Sequence, residues 1–356
     1  MTYFSTRSKQ LIVIVVGLLA ILAIFGLITY PRQPNAQRQL VIVSYGGSYQ
    51  EAQRKAFFEP FAKKYGIRIR EETWAGDLAQ LKAMVESGNV AWDVVDVEAY
   101  MVLRGTDQNL FEKVDYSKLP KDELLPNAIR PYGVATAFWS TILAINPQHY
   151  STGARPVGWT DFWDVQKFPG ARALRKDPVA NLEIALLAAG VPKDKLYPLD
   201  IDKAFASLDK IKPQVRVWWD AGQQPIQLLA SGEVAISSAW NGRVYDAAKA
   251  GVSVGLEWQD GSIGSDWWVI PRGGKNVDLA QEFLAFASSA GPQSELPKYI
   301  SYGPVNKKAI ELIPPDVLKD LPTSPANLAK QFFIDNDWWN QNQAAVLERW
   351  NKWLLQ

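Results

Sequence analysis

Cysteine is absent from this chain, and histidine occurs once, as His149 in the turn-like stretch NPQHY. Without a thiol there is no cysteine nucleophile, no disulfide and no thiolate metal site, and a single histidine leaves almost no basis for a histidine triad or a zinc centre. Charge of one sign is lacking too. The 38 Lys+Arg stand against 37 Asp+Glu, with no basic run in place of a net field, so nucleic acid is not an expected partner. Carboxylates, lysines, tyrosines and serines remain as possible actors, and neither a cofactor nor a metal is expected.

What the chain has in excess is aromatic surface: 15 Trp, 13 Tyr and 14 Phe in 356 residues. Many sit beside Gly, Asp or Asn rather than in aliphatic runs, which points to some as walls of a ligand pocket, although core packing is the commoner role for any single one. The length suits about two domains, each with its own core. One long apolar run, LIVIVVGLLAILAIFGLIT at 11–29, follows Arg7 and Lys9. It approaches the ~20 residues that a spanning helix needs. No A-x-A cleavage site follows, and without cysteine there is no lipoprotein anchor. Residues 1–39 are therefore expected to form an export signal retained as a membrane anchor plus linker, with the remainder periplasmic or otherwise extracytoplasmic.

From Leu40 onward short β-rich runs alternate with helical ones, the pattern of an α/β fold. LVIVS, IRIREET and DVVDVE are predicted strands, separated by the helices YQEAQRKAFFEPFAKKYG and DLAQLKAMVESG. Asp77 is the expected N-cap of the second helix, and Gly88 follows its end. A second α/β unit follows, from TDFWDV to the strands QVRVWW and EVAISSAW. Two long β stretches, VATAFWSTILAIN and SDWWVIPRGG, are expected to cross between the units. That implies two lobes with a cleft at the hinge: 40–140 plus 264–300, and 141–263 plus 301–356. The tail from Pro325 is predicted helical and aromatic.

The loop SYGGSYQEA between the first strand and helix looks like a phosphate cradle, but its spacing excludes one. Gly46 and Gly47 are adjacent, no third glycine follows, and no G-K-[ST] is present. The glycines bring backbone close to a ligand, and Ser44, Tyr45 and Ser48 offer hydrogen bonds.

With LVIVSYGGSYQEAQRKAFFEPFAKKYGI opening the exported part, then WDVVDVE, FPGARALRKDP, ISSAWNGRVYDAA, DWWVIPRGGKN and YGPVNKKA in order over 40–310, the chain resembles the solute-binding proteins of ABC importers. The nearest branch is the spermidine/putrescine-binding type, with its two-lobed type II periplasmic-binding fold. The resemblance implies a non-enzymatic, monomeric protein that captures a solute in the cleft and delivers it to a permease with a cytoplasmic ATPase. It also implies a ligand held between aromatics and carboxylates. Carried over motif by motif, the contacts are Tyr45, Gly46, Gly47 and Ser48 in the first loop, Glu98 and Tyr100 after the third strand, Trp240 in AWNGR, Asp266 in SDWWVIP and Tyr302 in YGPVN.

Two departures bear on the ligand. Where polyamine binders carry Asp in a W-x-G-D motif, this chain has Arg243, and where they carry Glu ahead of the second-lobe helix it has Ala180, with Asp177 and Glu183 within a turn. A guanidinium near 4 Å from a ligand ammonium costs about 4 kcal/mol at an effective dielectric of 20, yet it would clamp a carboxylate. Arg243 and Asp266 together point to a zwitterion such as γ-aminobutyrate. Arg243 turned outward, or paired with Asp246 or Asp220, leaves a polyamine. A sugar stacked on tryptophan is a further reading. A glycosidase using Asp93 with Asp96, or Glu71 with Glu72, is disfavoured because residues i, i+1 and i, i+3 on a strand point apart.

Overall fold

The computed structural model describes residues 38–150 and 153–356. The apolar run at 11–29 lies outside the described residues. Among the described residues, no helix is long and apolar enough to cross a membrane.

The first unit is built as the hydrophobic pattern directs. Strand β1 (Gln39–Ser44) is apolar throughout its interior and lies between β2 (Arg68–Thr73) and β3 (Val94–Glu98), parallel to both. A strand covered on both faces reads as a continuous apolar run, whereas β2, at the edge, carries RIREET. Helix α1 runs over 47–65, with a π-helical stretch at Arg54–Phe58, and ends at Gly66, whose φ of 62° provides the left-handed cap. Asp77 caps α2 (Leu78–Glu86), accepting from Ala79 N at 2.8 Å. Helix α3 (Ala99–Asp107) follows β3 directly.

Two long strands form the middle of the sheet. After the short β4 (Ile129–Arg130), β5 (Gly133–Ile145) is buried at every position, and β9 (Gly255–Val269) runs antiparallel to it. Between them in sequence lie β6 (Arg172–Arg175), α4 (Asn181–Ala188), α5 (Ile201–Ile211), β7 (Val215–Trp219), β8 (Ile236–Trp240) and α6 (Asn241–Lys249). The order is β2-β1-β3-β9-β5-β8-β6-β7, with β4 pairing β5 and β10 (Phe332–Phe333) pairing β9. Each long strand thus serves a different parallel trio. Asp266–Val269 of β9 pair with β3, while Thr141–Ile145 of β5 pair with β8.

The first half of β9, LEWQDGSIG, is not strand-like in sequence. Asp and Gly are poor strand formers, and Asp260 has φ 56°. Ladder partners on β5 and the bond from Asp260 N to Lys330 O hold it in place. The aromatic tail is likewise core rather than pocket wall. Helix α8 (Asn336–Leu354), after α7 (Val277–Ala287), buries Trp339, Trp350 and Trp353. Trp350 and Trp353 meet Trp218 edge-on at 5.5 Å each.

Candidate functional site

Two parallel pairs, which run in opposite directions, end on one region: β1 at Ser44 and β3 at Glu98 from one side, β6 at Arg175 and β8 at Trp240 from the other. Ligands in open α/β sheets bind outside such carboxyl ends. A cavity lies there, lined by Tyr45, Tyr49, Glu98, Trp139, Trp240, Arg243, Asp266 and Tyr302. Its volume is about 30 Å³, a narrow slot. Six of the ten sequence-predicted contacts therefore converge. Gly46, Gly47 and Ser48 form the adjoining loop, and Tyr100 lies instead in a separate groove of about 530 Å³.

Register explains the acidic end. Glu98 and Asp266 are directly opposed in the antiparallel β3–β9 ladder. Like charges at that spacing are unfavourable unless a cation intervenes. Arg175 supplies it for Glu98, with Nη2 donating to Oε1 at 3.0 Å. Burial works against the Arg175 charge, but Glu98 and Asp177 outweigh it and hold the guanidinium above its ordinary pKa. Asp266 has no such partner among the described residues. Burial first, then Asp96 and Glu98, push its carboxyl well above the usual range, with Trp139 and Tyr49 pulling the other way. Beneath it Asp96 accepts from Gln53 Nε2 at 2.5 Å and from Ser44 and Thr136 hydroxyls at 3.3 Å, yet burial still raises it to about 7.

The basic end is Arg243, on the first turn of α6 directly after β8 and 6 % exposed. Its Nη1 donates to Ser48 Oγ at 2.7 Å and its Nη2 to Gly46 O at 3.4 Å, while its Nε is buried without a partner. No ion pair among the described residues engages it. Asp246, raised to about 6 by burial, is only partly countered by Ser48 and Arg243. The glycine loop holds this arginine through Gly46 O and Ser48 Oγ. Gly47 has φ 61°, and a Cβ there would lie 2.7 Å from Arg243 Nη1.

Aromatic walls close the slot. Tyr49 and Tyr302 rings lie 5.3 Å apart, Trp240 is 6.0 Å from Trp139, and Trp219 meets Trp240 edge-on at 5.4 Å. The Tyr45 hydroxyl accepts from Glu98 N at 3.2 Å and is held well above its usual pKa by burial and then by Glu98 and Asp266. Gly222 and Gly242 admit these rings, since a Cβ would come within 2.6 Å of Trp240 and 2.5 Å of Tyr302 respectively.

Sequence reasoning missed Arg175, Trp139 and Tyr49. Trp139 sits mid-strand in β5, where periodicity marks only burial, and Arg175 acquires its role solely through Glu98 of β3, a strand not adjacent to β6 in the sheet. Ala180, with φ 70°, heads α4 outside the slot, and Glu183 is buried against Tyr197 and Trp339. The other carboxylates considered are occupied structurally. Asp93 accepts from Val41 N at 2.7 Å and Asn276 Nδ2 at 3.0 Å, Glu71 pairs with Arg54 at 2.6 Å, and Glu72 accepts from Trp92 at 2.8 Å.

The model of the family described as bacterial extracellular solute-binding protein matches residues 56–326. A γ-aminobutyric acid-binding protein of Pseudomonas aeruginosa is 39 % identical over 339 residues, covering 93 % of this chain and 95 % of that protein. The spermidine/putrescine-binding periplasmic protein of Escherichia coli is 23 % identical over 297 residues, 81 % and 83 % of the two chains. A solved structure described as the Atu4243-GABA receptor superposes with a TM-score of 0.82 at 38 % identity, covering 89 % of this chain and 97 % of its own.

Proposed function

This chain belongs to the bacterial extracellular solute-binding proteins, and from that membership we propose that it carries a small ω-amino acid, γ-aminobutyrate being the type ligand. The observation that carries the reading is the slot's polarity. Among the described residues, a guanidinium without a carboxylate partner stands in it together with a buried carboxylate that no cation meets. A buried charge requires an opposite one. A zwitterion supplies both, its carboxylate on Arg243 and its ammonium on Asp266 beside Tyr45, Trp139 and Tyr302. A diamine would leave one ammonium facing Arg243. The names of the Pseudomonas protein and of the Atu4243 receptor agree with this ligand class.

Capture proceeds by closure of two lobes, 40–140 plus 264–300 and 141–263 plus 301–356, about β5 and β9. Ligand contacts from both lobes stabilise the closed form. In this division Arg243–Ser48 and Arg175–Glu98 each join one lobe to the other. The chain is the substrate-binding component of an ABC importer, so release to a permease on the extracytoplasmic side of the membrane completes the cycle, with the 1–39 segment as tether. Native mass spectrometry of freshly purified protein tests the ligand class. Retention of a species with the mass of an ω-amino acid supports it, and retention of a diamine or a sugar overturns it.

A further inference from the structure

At its acidic end the slot stops against a group that the capture of a zwitterion does not use. Arg175, at the end of β6, pairs with Glu98 at 3.0 Å, approaches Asp177 at 3.9 Å and lies 5.2 Å from the Trp240 ring centroid. Its side chain is 15 % exposed and that of Glu98 12 %. Glu98 and Trp240 line the slot, whereas Asp177 and Tyr100 line the groove of about 530 Å³. The Arg175–Glu98 pair thus stands between a narrow space and a wide one.

We propose that Arg175 sets the length of ligand the slot accepts, by closing it at the amine end with the Glu98 ion pair. Glu98 is opposite Asp266 across the ladder, so a ligand anchored by its acid on Arg243 points its ammonium toward this partition. One methylene too many drives the ammonium past Asp266 and against the guanidinium. In a closed site a single methylene shifts affinity by about 10-fold or more, and here charge repulsion adds to it. Without Arg175 the same ammonium meets a freed Glu98, with Asp177 beyond and the groove behind it. Arg175 is a specificity-determining residue that acts through Glu98 and requires no direct contact with the preferred ligand.

The inference rests on the zwitterion reading for its choice of probes. The test is calorimetric titration of the wild type, Arg175→Ala, Arg175→Lys and the Arg175→Ala/Glu98→Gln double variant. The probes are β-alanine, γ-aminobutyrate, 5-aminovalerate and 6-aminohexanoate, with α,ω-diamines of matching length in parallel. The wild type is expected to bind one short member best and 6-aminohexanoate at least about 10-fold more weakly. Arg175→Ala moves the optimum to a longer chain, Arg175→Lys keeps it in place, and the double variant loses the shift because no freed carboxylate awaits the ammonium. A uniform loss across all lengths in Arg175→Ala, with the optimum unmoved, overturns the inference and leaves Arg175 a purely structural role. If the wild type binds only diamines, the zwitterion reading fails, and the same comparison within the diamine series still decides the role of Arg175. If Arg175→Ala does not fold, Arg175→Gln carries the comparison, since it also removes the charge while filling more of the space.

Discussion

Gly47 leaves the space that the Arg243 guanidinium fills: a Cβ on Gly47 would lie 2.7 Å from Nη1 and 3.4 Å from Cζ. The two residues are 196 positions apart, yet Gly46 O and Ser48 Oγ on either side of Gly47 are the groups that Arg243 holds. Gly47→Ala should therefore displace the arginine and lower affinity for an acid-bearing ligand by about 10-fold or more. Gly66→Ala is the control, because Gly66 has nearly the same φ, 62°, and a Cβ there would meet nothing within 4 Å. Both variants should lose roughly 1 kcal/mol of stability from the left-handed backbone. Titration and thermal unfolding of the pair separate the effects. Equal affinity in the two variants would contradict the arrangement.

Binding should depend on pH through Asp266. In the slot Asp266 faces Asp96 and Glu98 from β3, Tyr45 and Tyr49 from the first loop and α1, Trp139 from β5, and Tyr302 and Arg243 beyond. Burial and the two carboxylates raise its pKa, so it holds a proton to higher pH than an ordinary carboxyl. An ammonium favours the ionised form, so capture expels that proton, and affinity should rise with pH until the raised pKa is passed. Titration from pH 5.5 to 8.5, in buffers of differing ionisation enthalpy, should show proton release. A flat affinity and no buffer dependence would oppose this.

Stability of the ligand-free protein should fall as pH rises toward 7. Asp96 and Glu183 are each raised to about 7 by burial. A group with a raised folded pKa contributes stability that is fully present below its unfolded value, near 4, and lost as pH climbs through 7. The slope is up to about 1.4 kcal/mol per pH unit and per group. Thermal midpoints should decline from pH 5 to 7.5, and Asp96→Asn should flatten the decline. An unchanged slope in that variant would assign the effect elsewhere.

Much of the scaffold was legible in the sequence, because β1 and β5 are largely apolar runs, β3 and β8 are short β-rich stretches, and α2 carries its own cap. Arg243, Asp266, Trp240, Tyr45 and Tyr302 were legible as a set through their motifs. What stayed hidden depends on register. The opposition of Glu98 and Asp266, the capture of Glu98 by Arg175, and the displacement of Tyr100 into the neighbouring groove follow from how β3, β6 and β9 come together, and no local pattern encodes that. The glycine pair was legible as a close approach, but its partner, a side chain from α6, was not.

The pairing of a ligand carboxylate with Arg243 is tested most directly by titrating the wild type and Arg243→Ala with γ-aminobutyrate and with putrescine. The wild type should prefer γ-aminobutyrate. Arg243→Ala should lose roughly 10- to 150-fold for it, the worth of a charge-assisted hydrogen-bonded contact, while putrescine binding holds or improves as the repelling charge is removed. Tight putrescine binding by the wild type that survives Arg243→Ala, with γ-aminobutyrate unaffected by the change, would contradict the account.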